Sequence, residues 1–206
     1  MSHFRMINGM RYFNYEKTLE FLEERGKQMF GKEFEIHKDD IPVIDKLIVY
    51  AAHITDHCPK HDIDLNKGLL LTGPIGCGKT SWMHLIRLLA HPDEQFMVKS
   101  TREIAFEFNK DGYEVINLYG KRNKRICFDD IGVEQNIKFY GNECNTMAEI
   151  LLHRYEMQTQ YGILTHATTN LSASQLENVY GNRVRSRLRS MFNLVSFPAS
   201  SQDKRR

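Results

Sequence analysis

Eight consecutive residues, Gly73-Pro74-Ile75-Gly76-Cys77-Gly78-Lys79-Thr80, match the spacing G-x-x-x-x-G-K-[ST]. Glycines at these positions let the backbone curl so that successive N–H groups point inward at an anion. A helix starting at the end of such a loop adds the positive end of its dipole. Lys79 is expected to reach the β- and γ-phosphates of ATP, and Thr80 to offer its hydroxyl to Mg²⁺. Ser81 closes the expected binding set. From average composition, a chance match in a chain of this length is on the order of 1 in 100. Cys77 sits at a variable position of the loop and reads as an inert small residue.

A second acidic motif follows about 50 residues after Lys79. Arg125-Ile126-Cys127-Phe128-Asp129-Asp130 is an apolar strand ending in two carboxylates. Asp129 suits a role in holding Mg²⁺ beside the Thr80 hydroxyl. Asp130 could polarise an attacking water as general base. Thr168-Thr169-Asn170 lies at the end of another strand, where the Asn170 amide could orient that water, a turn-forming asparagine being the less favoured alternative. Arg183, Arg185, Arg187 and Arg189 alternate further on. An arginine can stabilise charge on a transferring phosphoryl group, often from a neighbouring subunit. The same four could form a phosphate-binding face for DNA, or plain surface charge.

These residues need a scaffold of strands that stop at one edge. Gly68 to Thr72 is a short continuous apolar run, as in a strand buried on both faces. Helix from Lys79 to Ala90 follows, stopped by Pro92. Strands are expected at 95–99, 125–128, 163–168 and 194–197, and helices at 102–109, 146–160 and 172–180. Asn145 is a candidate cap, and Ser172 with Gln175 forms a capping box. Arg183 to Arg189 reads as helical. Strands alternating with helices imply a three-layer α/β domain with a mostly parallel sheet. Upstream, 15–30 reads as an amphipathic helix with Leu19, Leu22, Met29 and Phe30 on one side. A second helix spans 40–55, with Asp40 as N-cap and Pro42 in the first turn. The expected division is a small helical N-terminal region (1–62), the nucleotide-binding core (63–200) and a basic tail (201–206) ending in Lys204, Arg205 and Arg206, read as a solvated end.

The bulk numbers bound the partners. The chain has 206 residues, 41% of them hydrophobic and 26% charged, enough for one cored domain. A net charge of only +2 excludes a polycation and confines any anionic partner to a local patch. Four cysteines without C-x-x-C spacing suggest a reduced protein. No apolar run approaches the roughly 20 residues of a membrane span. No apolar h-region follows Met1, so a cytoplasmic location and no membrane partner are expected. His53, His57, Cys58 and His61 fall close together, with His53 and His57 at i, i+4. No second cluster completes a zinc pattern and Pro59 interrupts the run, so surface or packing roles are favoured.

Taken in order, the Gly73-to-Thr80 loop, Ile126 to Asp130, Thr168 to Asn170 and Tyr180-Gly181-x-Arg183-Val184-x-Ser186-Arg187-Leu188 resemble the AAA+ ATPases of the DnaC and IstB type. These are bacterial and phage helicase loaders and transposition helper ATPases. The resemblance covers about residues 65 to 198. It implies that Asn170 is the sensor 1 residue and that Arg187, or second Arg183, is an arginine finger reaching into the next subunit. It implies a self-oligomer, single-stranded DNA, and a replicative helicase or transposase as partners. Arg154-Tyr155-Glu156 matches a helix segment that the family often carries. Two departures stand out. Asp130 occupies a position where many AAA+ enzymes have Glu, and the chain ends just after the last strand, so neither a helical lid nor a sensor 2 arginine is expected. An ATPase of the helicase-loader type is the leading expectation. A nucleotide-gated adaptor that hardly turns over and a small-molecule P-loop kinase are the alternatives.

Overall fold

Leu69, Leu70 and Leu71 divide the interior in two. In the computed structural model, which describes residues 3–8, 10–134, 137–139 and 142–204, Leu69 and Leu71 pack into one apolar cluster and Leu70 into another. This is the period-two alternation of a strand covered on both faces.

A hairpin of β1 (Phe4–Ile7) and β2 (Met10–Phe13) precedes α1 (Tyr15–Phe30), α2 (Ile41–Ala51) and a short α3 (Cys58–His61). β3 (Gly68–Thr72) then leads into α4 (Lys79–Ile86), and β4 (Met97–Ser100) into α5 (Thr101–Asp111) and α6 (Glu114–Gly120). β5 (Ile126–Asp129) is followed by a second hairpin, β6 (Ile137–Phe139) and β7 (Asn142–Cys144). The chain continues through α7 (Thr146–Tyr161), β8 (Thr165–Thr169), α8 (Ala173–Met191) and β9 (Phe192–Ser196). Among the described residues, five strands form one sheet in the order β4-β5-β8-β3-β9, every pair parallel. Residues of α1, α2 and α4 pack on one face. Those of α5, α6, α7 and α8 cover the other.

Several expectations meet corrections. The N-terminal region is not all helical, because β1 and β2 pair antiparallel from Phe4↔Phe13 to Ile7↔Met10. Asn8 turns with φ 50°, and the Asn8-Gly9 dipeptide is a hairpin signal. In α1, Thr18, Leu22 and Gly26 form the buried stripe, whereas Met29 and Phe30 are exposed. Asp40 occupies the N-cap position of α2 without capping it; its carboxylate turns to Lys204. The helix after the glycine loop ends at Ile86, short of Ala90. Lys204 is docked, not solvated, while Arg205 and Arg206 lie outside the described residues. Asn145 and the Ser172–Gln175 box do cap α7 and α8 as expected.

Burial sets a pH limit on this sheet. His166 of β8 is 1% exposed, and its Nδ1 accepts the backbone N–H of Leu69 at 3.1 Å. Burial first, then the Arg125 and Arg154 charges, push its pKa down from 6.5 to about 3. The folded protein therefore holds His166 neutral, and its contribution is complete above pH 6.5. Below that the unfolded chain binds one more proton, so stability falls by about 1.4 kcal/mol per pH unit from this group until pH nears 3. Urea denaturation at pH 7 and pH 5 should show a loss of about 2 kcal/mol that is absent in His166→Gln, which keeps an acceptor and cannot titrate. Equal losses in both proteins would assign the acid sensitivity elsewhere.

Candidate nucleotide site

β5, β8 and β3 lie side by side and end together, and each turns into a polar segment at its C-terminal end. After β3, Gly73, Gly76 and Gly78 take φ of 145°, 79° and 97°, conformations that side chains disfavour, and so curl the loop from Gly73 to Gly78. α4 begins at Lys79. Lys79 is only 5% exposed. Its Nζ donates to Gly73 O at 2.9 Å, to Pro74 O at 2.8 Å and to Asn170 Oδ1 at 2.5 Å. Cys77 is fully buried, its Sγ 3.8 Å from the same ammonium, and Ile75 stands out at the loop tip. Ser81 follows in the first turn of α4, half-buried.

The two carboxylates separate into distinct environments. Thr80 Oγ1 donates to Asp129 at 2.9 and 3.1 Å, and Thr168 Oγ1 donates to the same carboxylate at 2.7 Å. A hydroxyl and a carboxylate give an all-oxygen donor set, which suits Mg²⁺ and not a thiophilic metal. Asp130 adopts φ 59°, a left-handed conformation that Asp tolerates better than most residues. Its N–H donates to Thr168 Oγ1 at 2.8 Å, and its carbonyl accepts from Thr101 Oγ1 at 2.8 Å. Asn170 Nδ2 donates to Asp130 Oδ1 at 3.3 Å. One amide therefore touches both the loop lysine and the second carboxylate.

The arginines fall elsewhere. α8 is bent at Gly181 (φ 83°, ψ 165°), which separates 173–180 from the arginine-bearing turns. Arg183 and Arg189 are exposed, Arg185 pairs with Glu177, and Arg187 lies 5.3 Å over the Tyr155 ring. β8 and β9 both run parallel to β3, so α8 returns the chain from the edge where Asn170 stands to the opposite edge of the sheet. Arg187, near the end of α8, is carried away from the Lys79–Asp130 cluster of its own chain. Arg154 is different again: it is fully buried in α7 and bonded to main-chain carbonyls. Of the histidine cluster, His53 pairs with Glu94 at 3.0 Å and the His57 and His61 rings stack at 6.5 Å. Among the described residues no group of three or more His, Cys, Asp or Glu is placed to hold a metal.

No protein-family model and no curated protein matches the sequence. Solved structures do match. A DnaC helicase loader aligns with TM-score 0.53 and 17% identity, over 79% of this chain and 92% of its own. A primosome component from Streptococcus pyogenes aligns with TM-score 0.58 and 15% identity, over 92% and 100%. DnaA bound to AMPPCP and single-stranded DNA aligns with TM-score 0.52 and 15% identity, over 81% of this chain and 48% of DnaA. The fold is the AAA+ P-loop fold that these structures share. Within this AAA+ core, sequence reasoning missed the residues that hold the acidic loop in place. Thr169 Oγ1 donates to Ile131 O at 2.8 Å, and Ile131 N–H to Thr168 O at 2.9 Å. Glu134 accepts from Gly132 N–H at 2.9 Å and from Tyr180 Oη, which links the acidic loop to the bend at Gly181. Burial raises the Glu134 pKa above the usual carboxylate range. The signal for the threonines was present: hydroxyls on a doubly buried strand must find partners. No described helix is long and apolar enough to cross a membrane.

Proposed function

We propose that this chain binds ATP with Mg²⁺ in the Gly73-to-Ser81 segment and hydrolyses it as a helicase-loader-type AAA+ ATPase. The observation that carries this reading is the convergence of Lys79, Thr80, Asp129, Asp130 and Asn170 from three adjacent strand ends. Inward N–H groups of the loop and the α4 N-terminus would cradle the phosphates, with Lys79 leaving Gly73 O and Pro74 O for the β- and γ-oxygens. Thr80 and Asp129 are the residues that would hold Mg²⁺, which supplies neutralisation of phosphate charge when bound. Asn170 and Asp130 would orient water in line with the γ-phosphorus. As the water oxygen bonds to phosphorus and the bond to ADP breaks, Asp130 would take the water proton. Arg187, with Arg183 as second choice, would enter the site of an adjacent copy, consistent with its distance from its own. Single-stranded DNA and a replicative helicase or transposase are the proposed partners, DNA being held mainly through phosphates and therefore salt-sensitively.

A nucleotide-gated adaptor is the second reading, and Asp130 favours it. Its carboxylate is one methylene shorter than Glu and is already tied to Asn170. Phosphate release per subunit, measured against protein concentration with and without single-stranded DNA, separates the readings. A shared site requires a rate per subunit that rises with concentration and drops by about 100-fold or more in Arg187→Ala. A measurable rate that stays flat with concentration would remove the trans arginine. Tight ATP binding with no release at all would leave the adaptor.

A further inference from the structure

The segment that follows β9 returns to the outside of the glycine loop. Lys204 N–H donates to Gly76 O at 3.1 Å. Lys204 Nζ donates to Cys77 O at 3.0 Å, and the same ammonium pairs with Asp40 at the start of α2. Asp40 is 2% exposed, so its charge needs a partner. The Lys204 ammonium also lies 5.5 Å from the Phe197 ring centroid. The approach is close, with Gly76 facing the Asp203 side chain. A Cβ there would stand 1.9 Å from Asp203 Oδ1.

The carbonyl and N–H of one trans peptide unit point in opposite directions. Gly76 C=O shares its unit with Cys77 N–H, and Cys77 C=O shares its unit with Gly78 N–H. Donors that hold both carbonyls from outside therefore aim both N–H groups toward the inside of the loop. Cys77 N–H has only a long contact, 3.5 Å to Pro74 O, to give up. A charged donor on a carbonyl also polarises its peptide unit and strengthens the N–H on the other side.

We propose that Lys204, anchored by Asp40, is a positioning residue of the phosphate site. It clamps the carbonyls of Gly76 and Cys77 from behind, presents the Cys77 and Gly78 N–H groups to a bound nucleotide and ties the filled loop to the start of α2. This rests on the reading of the loop as an ATP site.

Competition of ATP against a fluorescent ATP analogue, with thermal midpoints taken without nucleotide, tests the clamp. Lys204→Ala should raise the Kd for ATP about tenfold, the effect of one charge-assisted hydrogen bond. Lys204→Arg should recover it to within about threefold. Asp40→Asn should weaken binding as Lys204→Ala does, and the double variant no further, because both act through one contact. The double variant also removes the orphaned carboxylate, so the test remains readable if Lys204→Ala alone folds poorly. An unchanged Kd in the double variant, or losses that multiply, would overturn the clamp and leave the segment a purely structural one. A wild-type chain that fails to bind ATP would instead overturn the ATP reading itself.

Discussion

Lys79→Ala is expected to lower ATP affinity by at least about 100-fold and to take phosphate release below detection. The ammonium is almost fully buried and has three oxygen partners, Gly73 O, Pro74 O and Asn170 Oδ1. On the proposed reading these are exchanged for phosphate oxygens when ATP enters. Each charge-assisted bond contributes about 1.5–3 kcal/mol, so losing two amounts to roughly 3–6 kcal/mol, or a factor of 10² to 10⁴. The loss is aggravated by what remains, since Asp129 and Asp130 would then face the phosphates without the nearest cation. Calorimetric titration of wild type and variant with ATP measures this directly. The nucleotide-free thermal midpoint should move by only a few degrees, because the three freed oxygens are part-buried at the loop, where water can take the place of the ammonium. Wild-type affinity in Lys79→Ala would show that the curled loop is not the phosphate site.

The loop was legible because phosphate chemistry fixes residue type and spacing within eight positions. The strands at 68–72 and 126–129 were legible because strands covered on both faces read as unbroken apolar runs. β1 and β2 carry no such pattern, since Met6, Ile7 and Tyr12 face solvent, and only the Asn8-Gly9 dipeptide marks the turn. Lys204 was read as solvated because its partners, Cys77 and Asp40, stand 127 and 164 positions away. No local pattern encodes such a contact. Glu134 gave no signal for the same reason, its partner Tyr180 lying 46 residues on. The arginines divide along this line. Arg187 sits in a motif that implies a role, whereas the Arg154-Tyr155-Glu156 segment implies none, and the task of Arg154 emerges only when α7 is packed against the sheet.

That packing makes Arg154→Met the most destabilising substitution expected outside the site, about 3–5 kcal/mol in urea denaturation. Burial and the nearby Arg122 charge lower the Arg154 pKa only to about 10, so the guanidinium is charged at neutral pH. It donates through Nε to Thr165 Oγ1 at 2.7 Å and through Nη1 to Arg122 O at 2.6 Å. Nη2 reaches Lys124 O at 3.3 Å and Leu164 O at 3.2 Å. One planar cation thus joins α7 to the chain entering β5 and to the chain entering β8, the strands that end in Asp129 and, one residue on, Asn170. Methionine preserves the length but strands four acceptors, each costing about 1–3 kcal/mol when buried, less the relief of an unburied charge. Arg154→Lys should recover less than half of the loss, because a single ammonium cannot span acceptors fanned around a plane. Arg187→Ala gives up only a stacking contact on Tyr155 and should cost about 1 kcal/mol or less. The two arginines are therefore separable by measurement: Arg154 by stability at any protein concentration, Arg187 by turnover with stability intact. A value for Arg154→Met within 1 kcal/mol of wild type would mean that the four acceptors find other donors, and that the spacing of β5 and β8 does not depend on this side chain.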